Sequence, residues 1–246
     1  MAMQRARRLA SMAVVASLTV AGLSACRSEP SVAAYVGDST RITEKRVQEI
    51  WDDARTSLSE AGAQGTVPIS RGDIVRTLVS ADVMTEVAKR ENVTLPTNLP
   101  LGDYATQLKL PEQAEYVRLY AESDALIRLL RERAGASASS GAQPSDDDLR
   151  TVYDTLREAG EVDPSLPFEQ FKTQLPADNL QLVTTSAAVR DEVAAAAGDL
   201  KIKVNPRYQP LQISVLDFQT QQGQLRPLVT VPLGAADAGA PVIDVS

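Results

Sequence analysis

Three times along this chain a capping hydroxyl marks where a helix has to begin. Thr43 can cap a helix whose flanking Ile42 staples onto Val47, and Ser70 with Asp73 forms a capping box flanked by Ile69 and Ile74. Ser145 with Asp148 repeats the box. A hydroxyl at the cap accepts from the free N–H groups of the first turn, and at Ser70 and Ser145 an acid three residues on accepts the reciprocal bond from the cap's own N–H. Behind each start runs an apolar stripe at spacings of three and four. The first holds Val47, Ile50, Trp51, Ala54 and Leu58 and stops at Gly62; the second holds Ile74, Val75, Leu78, Val79, Val83, Val87 and Ala88 and runs to about Glu91. The third holds Leu149, Val152, Tyr153 and Leu156 and stops at Gly160. Such a chain buries itself as packed helices.

Between these starts the pattern is looser. Pro96 and Pro100 make the segment after Asn92 a connector, because proline breaks the helical hydrogen-bond ladder. Residues 111–133 read as a longer helix, with Pro111 in its first turn and Val117, Tyr120, Ile127 and Leu130 on one face. The Ala/Ser/Gly-rich residues 134–143 read as a linker. A short helix holds Phe168, Phe171 and Leu175, and another runs over residues 178–197 until Gly198.

Two short stretches read as strands: residues 32–36, ending in a Gly37-Asp38 turn, and residues 200–204, where apolar and cationic side chains alternate. A lone strand has an unpaired edge, so the two are expected to pair. Beyond Tyr208, alternation at Leu211, Ile213 and Val215 permits one more strand. The Gln-rich run at 219–224 and the Ala/Gly-rich run at 234–240 nonetheless favour an extended, largely disordered tail over 209–246.

The N-terminus has a different character. Arg5, Arg7 and Arg8 precede an uncharged run over residues 9–23, the n- and h-regions of a secretory signal, too short to span a bilayer comfortably. It ends in Leu23-Ser24-Ala25-Cys26, which resembles the lipobox of bacterial lipoproteins. That resemblance implies cleavage before Cys26, a diacylglycerol on its sulfur, and an extracytoplasmic protein anchored to the cell membrane. The alternatives are an ordinary signal peptide and a buried free thiol. The expected organisation is a signal peptide over 1–25, a lipidated tether over 26–31, a helical domain over 32–208 and the tail.

Composition then removes function classes. Loss of residues 1–25 takes three of the 25 basic residues and none of the 32 acids, so the mature chain carries −10 and has no electrostatic reason to bind nucleic acid. Cys26 is the only cysteine, so no intrachain disulfide exists, and there is no histidine. Ser-His-Asp and Cys-His catalysis therefore have no base. No P-loop, dinucleotide fingerprint, G-x-S-x-G or S-x-x-K is present. Asp146-Asp147-Asp148 suits a helix N-terminus better than a cation, and Glu44, Glu49, Asp52 and Asp53 suit a solvated face better than acid–base work. No catalytic residue, cofactor or metal site is expected. Trp51, Tyr116 and Tyr120 are candidates for a groove that receives a client polypeptide, with core packing as the competing reading.

Three stretches resemble the N-terminal domain of periplasmic chaperones of the SurA type and of foldases of the PrsA type. They are Ala34-Tyr35-Val36-Gly37-Asp38 with Ile42-Thr43, residues 75–93 ending in Ala-Lys-Arg-Glu-Asn-Val, and residues 144–153 together with 201–208 ending in Asn-Pro-Arg-Tyr. Gln209 departs from the glycine common after that ending. The resemblance implies a mainly α, multi-helix module closed by a small two-stranded pairing of N- and C-terminal strands. It also implies an ATP-independent chaperone or holdase that transiently buries apolar segments of unfolded or partly folded exported proteins. An envelope adaptor docking one dedicated partner is the alternative. A third reading, peptidyl-prolyl isomerase, lacks room for the parvulin domain such relatives often carry and lacks its histidines.

Overall fold

A computed structural model of the chain describes residues 31–63, 65–137 and 143–234. The signal, Cys26 and the end of the tail lie outside these residues. The order is β1 (Val32–Val36), β2 (Thr40–Thr43), α1 (Glu44–Glu60), α2 (Arg71–Glu91), α3 (Leu101–Leu108), α4 (Glu115–Ser137), α5 (Asp146–Glu158), α6 (Phe168–Gln174), α7 (Ala177–Asp199), β3 (Lys203–Val204), β4 (Leu211–Gln219) and β5 (Leu225–Leu233). The described part is thus mainly helical, with two small antiparallel sheets.

All three helix starts form as their residues dictate. Thr43 Oγ1 accepts from Arg46 N at 3.1 Å, and both halves of the capping boxes at Ser70/Asp73 and Ser145/Asp148 are made. Helix α2 is the spine. Ile74, Val75, Val79, Val83, Met84 and Val87 are sealed from solvent, because the stripe is wide enough to face α1, α4, α7 and β1 together.

The ends of the domain meet. Ala34 pairs with Val204 and Tyr35 with Lys203, antiparallel. This pairing is shorter than the 200–204 strand the alternation suggested, because α7 runs through Gly198 to Asp199 and Lys201 takes a left-handed turn. Strand β1 also receives β2 on its other edge, so the pair becomes a three-stranded sheet in the order β2-β1-β3. Helix α3, after Pro100, lies in a stretch whose prolines marked only a connector.

The largest departure is beyond residue 208. Residues 211–233, expected within the tail, form an antiparallel hairpin running from Leu211↔Leu233 to Gln219↔Leu225. Leu211, Ile213, Val215, Val229, Val231 and Leu233 are buried in the main core. The Gln-rich run supplies the turn. Pro227 and Pro232 argue against a strand in sequence, yet a two-stranded sheet is all edge, where a missing N–H is tolerated. A second, smaller core of Leu149, Val152, Tyr153, Phe168, Phe171 and Val183 joins α5, α6 and α7 and meets the hairpin at Leu228.

Candidate functional site

The three aromatic residues proposed for a groove do not gather into one. Tyr116 on α4 is 4% exposed, with its hydroxyl 3.3 Å from Thr77 Oγ1, and burial pushes its phenol up to about 12. It is core, and cannot line an open groove. Tyr120 is half-buried one turn on, its ring centroid 6.2 Å from Tyr116 and 6.1 Å from Tyr104 of α3. Trp51 lies on α1, half-buried, with the guanidinium carbons of Arg71 and Arg55 4.9 and 5.3 Å from its ring centroid.

The aromatic row leads instead to a polar cluster at the α3–α4 face. The Tyr104 hydroxyl donates to Asp124 Oδ2 at 2.7 Å and accepts from Arg128 Nη2 at 2.6 Å, while Arg128 Nε lies 3.1 Å from the same carboxylate oxygen. Burial, then the Asp124 carboxylate, pushes the Tyr104 phenol up to about 12, so it remains a donor at neutral pH. Two depressions of about 230 Å³ each adjoin this cluster and share Pro100 and Arg128. One is walled by Leu99, Ala125 and Leu129, the other by Tyr104, Asp103 and Gln107. Pockets for cofactors and drug-sized ligands hold roughly 300–1,000 Å³. These suit one or two side chains of a polypeptide. The sequence signal for this cluster is the Asp124/Arg128 spacing of four on one helix.

A second polar cluster locks the turn after β3 onto β1 and α1. Asn205 Nδ2 donates to Val32 O at 3.1 Å and Asn205 N to Ala33 O at 2.9 Å, so the asparagine bridges onto β1 just past β3. Tyr208 OH donates to Glu44 Oε2 at 2.7 Å, and Arg207 pairs with Glu44 as well. The Asn-Pro-Arg-Tyr turn is therefore clamped to the first turn of α1.

The acids weighed for chemistry have structural partners. Asp53 Oδ2 accepts from Glu115 N at 2.8 Å, capping α4 from a neighbouring helix. Asp148 closes its capping box and pairs with Arg190, while Asp146 meets Lys172 Nζ at 2.6 Å. Asp52 pairs with Arg55 at 2.9 Å and Glu49 with Lys45 at 3.6 Å. Among the described residues no three His, Cys, Asp or Glu side chains gather as a metal site would require, and no helix is long and apolar enough to cross a membrane. Compared with known proteins, the chain matches no family model, no curated relative and no solved structure.

Proposed function

We propose that this chain is a lipid-anchored, extracytoplasmic chaperone module that holds unfolded or partly folded exported proteins without ATP and without breaking or making a bond. The observation that carries the reading is the closure of the helical body by its own ends. Ala34 pairs with Val204, as the resemblance to the SurA-type N-terminal domain implies, and the Asn205–Tyr208 turn is in addition clamped to Glu44. Of the two side-chain-sized depressions at the α3–α4 face, one offers apolar surface from Leu99, Ala125 and Leu129, and the other sets a fixed tyrosine donor and an arginine among polar side chains. Contacts of that size bury little area each. At roughly 25 cal/mol per Å² they give weak, reversible and sequence-tolerant binding, which is what a holdase requires. The anchor at Cys26 keeps the module where exported chains emerge.

The test is aggregation of a thermally unfolding model enzyme, followed by light scattering with residues 26–246 in several-fold excess. Suppression that weakens in Arg128→Ala supports the reading; scattering unchanged from the enzyme alone overturns it.

One observation favours the second reading, an adaptor for a dedicated partner. The C-terminal hairpin is folded and carries Leu225, 49% exposed, near its tip, a feature suited to one fixed contact. Crosslinking in native membranes separates the two. One stoichiometric product supports the adaptor, and a broad distribution of products supports the chaperone.

A further inference from the structure

The anchor and the fold together decide which side of the module faces the bilayer. Ser31 is five residues beyond Cys26, so at most about 18 Å of extended chain separates them. Ser31 is itself fixed: its carbonyl accepts from Glu44 N at 2.9 Å and its hydroxyl from Arg41 Nη2 at 3.3 Å. The first turn of α1 and the 205–208 turn clamped to it are therefore held close to the membrane.

From that end Glu44, Gln48, Trp51 and Arg55 follow at spacings of four, three and four, one face of α1. A line of guanidinium groups and aromatic rings runs along it. Arg207 pairs with Glu44 and lies 5.1 Å from the Tyr208 ring centroid. Arg71 directs Nε and Nη2 to the neutral amide oxygen of Gln48, at 3.1 and 2.6 Å, and stacks on one side of the stripe against Trp51. Arg55 also lies against Trp51. Arg207 is paired with Glu44 and Arg55 with Asp52 at 2.9 Å, so Arg71 gives the stripe a local excess of one positive charge on a mature chain expected to carry −10.

We infer that this stripe docks on the anionic headgroup surface of the bilayer to which Cys26 tethers the chain. The inference rests on the lipid-anchor part of the proposed function. The guanidinium groups face lipid phosphates, while Trp51 and Tyr208 lie at headgroup level, where amphipathic rings are favoured. The acidic remainder is repelled by the same surface, so the stripe sets the orientation. Weak attraction suffices, because a short tether holds the face at a high effective concentration. Docked this way, the module is oriented and not merely tethered.

Trp51 is the only tryptophan and Cys26 the only cysteine, which makes the test direct. Residues 26–246 are coupled through Cys26 to a maleimide-bearing phospholipid in vesicles that also contain a headgroup-level bromolipid quencher. The coupling supplies the tether whether or not cells lipidate Cys26. Failure of the anchor reading is seen separately, in the intact mass of membrane-extracted protein. In vesicles rich in phosphatidylglycerol, Trp51 emission should be quenched at least about two-fold beyond that in phosphatidylcholine. High salt should reverse it. Arg55→Gln/Arg71→Gln, verified as folded by circular dichroism, should abolish the difference. Equal quenching in the two vesicle types, none in either, or quenching that survives the double substitution would overturn the inference.

Discussion

Ser145 and Asp148 show how much a single helix start contributes. Burial works against the Asp148 charge, but the hydrogen bond from Ser145 and the Arg190 guanidinium more than offset it, holding the carboxyl below its usual value of 3.8. A depressed carboxylate stabilises the fold above its unfolded pKa, and the contribution is lost as pH falls through the folded one. Asp148→Asn should therefore lower the urea midpoint at neutral pH, with the gap to the parent closing as the pH drops below 3.8. Ser145→Ala should cost about 1 kcal/mol at neutral pH. Residues of this kind were legible because a cap is local. The Tyr104–Asp124–Arg128 cluster was not, since α3 and α4 meet only in the fold. Trp51 was expected inward on periodicity and is half-buried, because Arg55 and Arg71 cover the ring that the core does not.

Among the elements, the hairpin carries the sharpest prediction. Ile213 is 1% exposed and packs into the main core, so Ile213→Ala should destabilise the whole domain by about 2–5 kcal/mol in chemical denaturation. Truncation after residue 210 should expose the core and yield aggregating protein. A disordered tail would tolerate both changes. Periodicity found the long helices because their stripes outlast any local ambiguity, and it found β1 and its partner. It missed β5 because the Gln-rich run at 219–224 and the Ala/Gly-rich run at 234–240 flank it and read as tail, whereas the first of them is the turn of the hairpin. It missed α3 because two prolines and eight residues leave too short a pattern to read.

For the whole molecule, two cores of unequal size predict two stabilities. The α5–α6 unit rests on six buried side chains, whereas the main core draws on β1, α1, α2, α4, α7 and the hairpin. Amides of residues 146–174 should exchange with solvent before those of α2 and α4, and Phe171→Ala should widen the gap by about 3–5 kcal/mol. The closure of the body by its ends was readable from two short strands. The proposed chaperone role turns on which polypeptides meet the α3–α4 face. The decisive measurement is photo-crosslinking from position 107, at the rim of the α3–α4 depressions, in membranes of cells pulse-labelled during protein export. Labelled adducts with many newly exported polypeptides should form and then disappear in the chase as those proteins fold. Absence of labelled adducts, or a single adduct that persists through the chase, would contradict the chaperone role.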